Sequence, residues 1–377
     1  MGADTKIEWA DATINVWEGC TKVSPACKNC YAETNSPVRA MEMRIGEALG
    51  VEPNADGKRR LKMWGPRGFR YETANWGVLL RALNRKAKAA REHDARLGHM
   101  YTRPRVFINS LSDIFEDWQG PVYRLEDGKP VVVAQSLDDV RTRFFRAAEE
   151  CTELDILLLT KRPENVRTMV PAYWCGVCPT CIAVGYSLEC VCRGRREWPS
   201  HIWIGATGED QEHANKRIPE LLKVPAKVRF LSVEPLLGPV DFVLAKETLT
   251  GFMGTFEYVV GANVFSGRVE ETYPSGKKLA LKHVDERRIH WVIVGGESGT
   301  NARPMYPDWV RSIRDQCVAA GVSFFFKQWG EWTPDTPNGY RLENWNEHEV
   351  GDVRMYKVGK KNAGRVLDGR TWDEVPR

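Results

Sequence analysis

The chain reads as an α/β protein built on a full or partial parallel βα barrel, and three observations predict it. Short apolar runs recur along the 377 residues, helical patterns lie between several of them, and polar residues follow nearly every run. A run that is apolar without alternation is a strand buried on both faces. Strands alternating with helices build a parallel sheet. A barrel gathers its chemistry where the strands end.

The runs are Ile14–Trp17, Arg105–Leu111, Asp155–Thr160, His201–Gly205, Val228–Val233, Trp291–Val294 and Val322–Phe326. Helical patterns over Val140–Cys151, Gln211–Lys223 and Asp308–Ala320 precede the third, fifth and seventh. Asn109, Ser110, Ser112 and Asp113 follow the second run, and Thr160, Lys161 and Arg162 the third. Thr207 and Glu209, Ser232 and Glu234, Gly295 to Glu297, and Lys327 to Trp329 follow the rest. Any one of these could be a cap or turn; together they predict a single polar pocket. The barrel spans 1–332. It is interrupted by a basic helical connection at 34–100, a cysteine-rich insert at 171–200 and a second insert at 239–289 with a hairpin arm near 276–282. Residues 333–377 form an irregular extension with a short hairpin near 354–359.

Hydrophobic residues at 42% and charged residues at 28% are the mixture of a globular protein. No stretch has the length of a membrane span and the start lacks a signal-peptide core, so a cytoplasmic protein without a membrane partner is expected. In that compartment the ten cysteines are thiols or metal ligands. The net charge of +4 does not define a polyanionic partner. The segment from Arg59 to Arg91 is locally basic, with Trp64, Phe69, Tyr71 and Trp76 interleaved. That combination suits phosphate contact and base stacking, or equally a solvated helix face.

Cys20, Cys27 and Cys30 lie in one loop with Gly19, Pro25 and Asn29. Three thiolates can hold three irons of a [4Fe–4S] cluster and leave the fourth open. A structural zinc would normally be closed by four ligands, and the nearest further donors are Asp11 and Glu33. Cys175, Cys178, Cys181, Cys190 and Cys192 crowd the 171–200 insert. They predict a structural zinc there, or alternatively an auxiliary Fe–S cluster, with His201 a weaker candidate ligand. Cys151 and Cys317 sit in helical patterns and read as buried apolar residues.

The run Thr5–Thr13 with the three-cysteine loop resembles a phage and prophage family carrying a three-cysteine motif, a family of unsettled activity. So do Phe107–Phe115, Leu158–Pro163, Phe230–Leu237, Val294–Gly299 and Phe325–Gly330. That family's loop and barrel are similar to radical S-adenosylmethionine (SAM) enzymes, closest to the spore photoproduct lyase branch, which repairs a thymine dimer in DNA. The resemblance implies that Cys20, Cys27 and Cys30 bind the cluster, with Tyr31 packed near it. It implies that Ser112, Asp113, Lys161 and Thr207 lie near SAM, whose amino and carboxylate groups chelate the open iron. Here six residues separate the first two cysteines, where the usual radical SAM pattern has three, and the lyase's hydrogen-donating cysteine has no clear counterpart. Only the reaction type transfers.

Gly295, Gly296 and Glu297 could contact the SAM amino group, or a phosphate or ribose, or form a tight strand-end turn. Glu234 could bind substrate amino groups or act as a general base, and Lys327 could help hold a nucleobase; both are candidate catalytic residues. The expected function is reductive cleavage of SAM and hydrogen abstraction from a nucleic acid or nucleotide, in base modification or repair. An electron donor such as flavodoxin or ferredoxin is implied, and a partner protein is possible. Two alternatives stay open: a zinc-stapled nucleic-acid-binding protein without catalysis, and a barrel whose cluster is structural or redox-sensing.

Overall fold

The computed structural model describes residues 5, 7–55, 57–175, 197–244, 250–251, 254–255, 259–265, 268–272, 278–281, 288–334, 347–350 and 353–376. Its main sheet has seven strands, one at or beside each apolar run. They are β1 (Ala12–Ile14), β2 (Arg105–Ile108), β3 (Asp155–Thr160), β4 (Ile202–Thr207), β5 (Arg229–Val233), β6 (Trp291–Gly295) and β7 (Ser323–Gln328). They stand in chain order across the sheet. The pairs β1–β2, β2–β3, β5–β6 and β6–β7 are parallel. Adding each strand to the same edge is the order of a βα barrel, and mixed α/β with a partial parallel barrel is the architecture observed.

The chain forms two compact units: residues 1–205 with 224–227, and 206–223 with 228–377. The division falls inside β4.

In the first unit, β2 and β3 bury Val106, Ile108, Ile156, Leu157 and Leu158 completely. The 34–100 connection holds two helices, α1 (Ser36–Ala48) and α2 (Trp76–Leu97), the second closed by Gly98 at φ 72°. Helix α3 (Leu137–Glu150) starts on Ser136, whose side chain accepts from Asp138 N–H. It buries Val140, Phe144, Phe145, Ala147 and Ala148. A second sheet lies in this unit, in the order Trp17–Glu18, Arg70–Glu72, Gln119–Glu126, Lys129–Ser136. Its hairpin turns on Asp127 (φ 49°) and Gly128 (φ 78°), the Asp-Gly turn that matches strand twist.

In the second unit, helix α4 (Gln211–Leu222) is capped by Asp210, which accepts from His213 N–H at 2.9 Å. Helix α5 (Pro307–Ala320) has proline in its first turn and ends on Gly321 at φ 65°. Strands β5 and β6 are buried along their whole length. In the second insert, Arg268–Thr272 pairs antiparallel with Lys278–Leu281. The C-terminal extension contributes a three-stranded sheet of Trp332–Thr333, Val353–Lys357 and Glu347–Val350. It is more regular than the single hairpin expected from the sequence.

Candidate functional site: a three-cysteine loop on a buried charge network

The cysteine loop leaves the sheet through Gly19, whose φ of 101° and close neighbours exclude a side chain. A Cβ there would meet Met63 O at 2.9 Å and Phe69 O at 3.0 Å. A short 3₁₀ turn over Pro25–Cys27 takes up part of the long spacing between the first two cysteines. Cys30 opens the next short helix, Tyr31–Thr34. Cys27 is buried, while Cys20 and Cys30 are half-buried.

The peptide after Cys20 is clamped from both sides. Thr21 N–H donates to Glu116 Oε1 at 2.7 Å, and Arg162 Nη2 donates to Thr21 O at 2.7 Å. Arg70 binds Thr21 Oγ1 at 3.0 Å and forks onto Glu116, at 2.9 Å from Nε and 2.8 Å from Nη2. Arg162 Nη1 donates to Asp113 Oδ2 at 2.9 Å and lies 3.8 Å from Cys20 Sγ. Burial first, then the Glu116 and Asp113 carboxylates, push the Cys20 thiol up to about 12, with Arg162 opposing. Burial works against the charge of Arg162, yet Asp113, Cys20 and Glu116 hold it above its ordinary range.

Asp113 and Ser112, expected near SAM, are occupied in holding this frame. Asp113 accepts from Thr160 Oγ1 (2.7 Å), Lys161 N–H (3.0 Å), Phe115 N–H (3.0 Å) and Arg162. Ser112 Oγ donates to Trp17 O at 2.8 Å. Lys161 is tied by its backbone, and its ammonium makes no ion pair among the described residues. Tyr31 is 54% exposed and donates to Ser110 O at 2.7 Å. Asp11 and Glu33 are paired elsewhere, with Arg105 and Lys22.

Among the described residues no group of three or more His, Cys, Asp or Glu side chains could hold a single metal ion. Zn–S bonds of about 2.3 Å would put thiolates sharing one ion within about 4 Å of each other. A [4Fe–4S] cube takes one thiolate per iron, so its cysteines stand further apart. Three thiols on one loop with a guanidinium beside the first are donors of the kind such a cluster takes.

Of the insert's cysteines only Cys175 is described. It is half-buried and raised by burial, with Arg167 opposing. Cys178, Cys181, Cys190 and Cys192 lie outside the described residues. His201 is buried with Nε2 2.9 Å from Ala148 O, a structural role. Cys151 and Cys317 are buried, at 1% and 0% exposure.

The second unit holds the other expected residues, in three ion pairs. Lys327 Nζ donates to Glu234 Oε1 at 2.6 Å. Two local features build that contact. The β6–β7 register slips between Val294 and Gly295, so that Gly295 faces Gln328 and Lys327 is bulged out. A Cβ on Gly295 would lie 3.2 Å from Glu234 Cδ, so glycine leaves the carboxylate its space. A Cβ on Gly296 would meet Trp329 O at 1.9 Å. The glycine pair therefore has a packing reason of its own. Glu297 accepts from Arg303 at Nη2 (2.5 Å), Nε (2.8 Å) and its backbone N–H (2.9 Å). Thr207 is buried and accepts from Arg217 Nη1 at 2.8 Å, which also reaches Glu209 Oε2 at 2.6 Å.

Of the two readings of the basic segment, the structure bears on base stacking. Trp64, Phe69, Tyr71 and Trp76 are core residues between 4% and 8% exposed, so they form no stacking platform on the surface. The charges around them are also partly spent: Arg70 pairs with Glu116, Arg60 with Glu42, Arg81 with Glu150 and Arg91 with Glu153. Sequence reasoning missed Glu116 and the partnership of Arg70, because neither has a local signature; they are 46 residues apart.

The fold and this loop define a class: a parallel α/β protein carrying a cysteine loop on a buried arginine–carboxylate frame. Residues 4–376 match DUF5131, described as a protein of unknown function, and the chain belongs to that family. No curated protein and no solved structure matches the chain.

Proposed function

We propose that the protein is a radical-SAM-like iron–sulfur enzyme acting on a nucleic acid or nucleotide, in base modification or repair. The observation that carries this reading is the surroundings of Cys20: a thiol on a three-cysteine loop, its following peptide pinned by Glu116 and Arg162, with the guanidinium 3.8 Å from sulfur. Cys20, Cys27 and Cys30 would hold the cluster. Bound there, a three-thiolate [4Fe–4S] cluster supplies an open iron for the amino and carboxylate groups of SAM and the electron for its reductive cleavage.

The chain's own residues supply the rest. Arg162 places a fixed positive charge beside a site that gains thiolate charge. Lys161 offers an ammonium next to it for a carboxylate. In the second unit Glu234 and Lys327, both part-exposed, present an acceptor and a donor to a polar substrate group. The exposed cations of α2 provide phosphate contacts. Electrons come from an external donor such as flavodoxin or ferredoxin, in the cytoplasm of the cell or of a phage host.

Anaerobic reconstitution with iron and sulfide tests the reading. The expected product is a brown protein with about four irons and four sulfides at the loop. With reductant it forms 5′-deoxyadenosine from SAM, and Cys20→Ala abolishes both colour and product. A colourless wild-type chain that leaves SAM intact would refute the enzyme. Zinc in both cysteine groups with salt-sensitive DNA binding would put the non-catalytic zinc protein in its place. A stable cluster with SAM intact would leave a structural or redox role.

A further inference from the structure

Five buried carboxylates are described in the first unit, and one stands apart from the rest. Glu42 pairs with Arg60, Glu72 with Arg143, Asp113 with Arg162 and Glu116 with Arg70. Glu18 is 4% exposed, and its carboxyl makes no hydrogen bond or ion pair among the described residues. A carboxyl this deep without a partner is uncommon, because part of its desolvation goes uncompensated. Glu18 also lines a cavity of about 280 Å³.

The other walls are mostly apolar or aromatic: Ile14, Met41, Tyr71, Trp76 and Leu79. Trp76 is held in place, since its Nε1 donates to Glu72 Oε1 at 2.9 Å and Arg143 holds the same carboxylate at 2.8 Å. The wall is therefore set before anything binds, which spares a ligand the cost of ordering it. Pro37, Ala74 and Leu79 line the cavity and are exposed, so it has a mouth. Thr13, Asn15 and Thr73 add polar atoms to the lining, but Glu18 is its one acidic group, and a slot with aromatic faces and one carboxyl selects a flat body with donors on one edge. Two oxygens of a carboxylate match two adjacent N–H groups.

We infer that this cavity is a small-molecule site for a planar ring carrying an amidine-like pair of N–H donors, the edge that guanine and arylamidines share. The volume admits the ring, and any sugar or phosphate stays beyond the mouth. The site stands on its own walls and goes beyond the iron–sulfur reading; it needs neither cluster nor SAM.

Titration calorimetry on the full chain tests it, with guanosine, inosine (which lacks the second donor) and benzamidine as probes. Guanosine should bind wild type about tenfold to a hundredfold tighter than inosine. Glu18→Gln should erase that preference, and Leu79→Trp, at an exposed helix position, should block all three probes. Benzamidine binding without guanosine binding upholds the amidine site and assigns it a small amidine rather than a base. Equal binding of guanosine and inosine to wild type, a preference that survives Glu18→Gln, or no binding of any probe to wild type would each overturn the inference. Should Glu18→Gln fail to fold, the guanosine-to-inosine ratio on wild type and the loss of guanosine binding in Leu79→Trp decide the matter.

Discussion

Glu116 is the residue on which the cysteine loop's position turns. It accepts from Thr21 N–H and takes both arms of Arg70, and the two side chains are 1% and 0% exposed. A charge this deep cannot lose its partner cheaply, because the survivor stays buried and unpaired. Glu116→Ala should lower stability by about 3–5 kcal/mol in denaturant unfolding. The double variant Arg70→Met with Glu116→Leu should recover much of that loss, since it removes both desolvation costs together. A loss from Glu116→Ala well under about 1 kcal/mol would mean the pair is solvated.

A second residue gives a pH dependence. Burial, with Arg229 and Arg288 adding, pulls the His290 imidazole down to about 4 from its ordinary 6.5. The folded state therefore binds this proton more weakly than the unfolded state does. Its contribution is fully present above pH 6.5 and is lost as pH falls from there through 4. Discounted for solvent screening of this part-exposed ring, the effect is on the order of 1 kcal/mol. His290→Gln should flatten the acid-side fall in stability over that window, measured as denaturation midpoints at pH 7.5, 5.5 and 4. Parallel curves for wild type and variant would remove His290 as the cause.

At the scale of elements, helix α2 decides whether the basic segment reaches nucleic acid. Its apolar side buries Trp76, Leu80 and Ala87, and Arg81 and Arg91 pair with glutamates. Arg85, Lys86 and Lys88 are exposed and make no ion pair among the described residues. Each phosphate contact adds about one to the slope of log affinity against log salt. Replacing these three by Gln should cut that slope for duplex DNA by up to about 3, read by fluorescence anisotropy. An unchanged slope makes the helix a solvated face. The bulge at Lys327 belongs to this scale too. The end of the apolar run marks Lys327 as a polar strand end, but only the slip against Gly295 aims it at Glu234. The hairpin of Gln119–Glu126 and Lys129–Ser136 did have a signal, Asp127-Gly128 between two β-rich runs. It lies between the second and third apolar runs, outside the alternation of strand and helix that predicts the barrel.

At the scale of the molecule, the family match extends over residues 4–376, nearly the whole chain. No helix among the described residues is long and apolar enough to cross a membrane. Each unit carries its own buried apolar core and its own set of ion pairs, and the expected residues divide between them. The three cysteines, Ser112, Asp113 and Lys161 belong to the first unit. Thr207, Glu234, Gly295 to Glu297 and Lys327 belong to the second.

The amino-acid sequence by itself determined the seven strands, their chain order, three of the main helices and the three-cysteine loop. These are encoded locally: apolar runs, a 3.6-residue period and short spacings are all properties of neighbouring residues. Which polar residues are free and which are spent was decided only by tertiary structure. Asp113 and Arg162 are 49 residues apart, Arg70 and Glu116 are 46, and Glu234 and Lys327 are 93. A charge and its partner at such separations leave no trace in either one's neighbours. Glu18 shows the converse: it looks like an ordinary strand-end glutamate in the sequence, and only the packing around it reveals a buried carboxyl facing no cation.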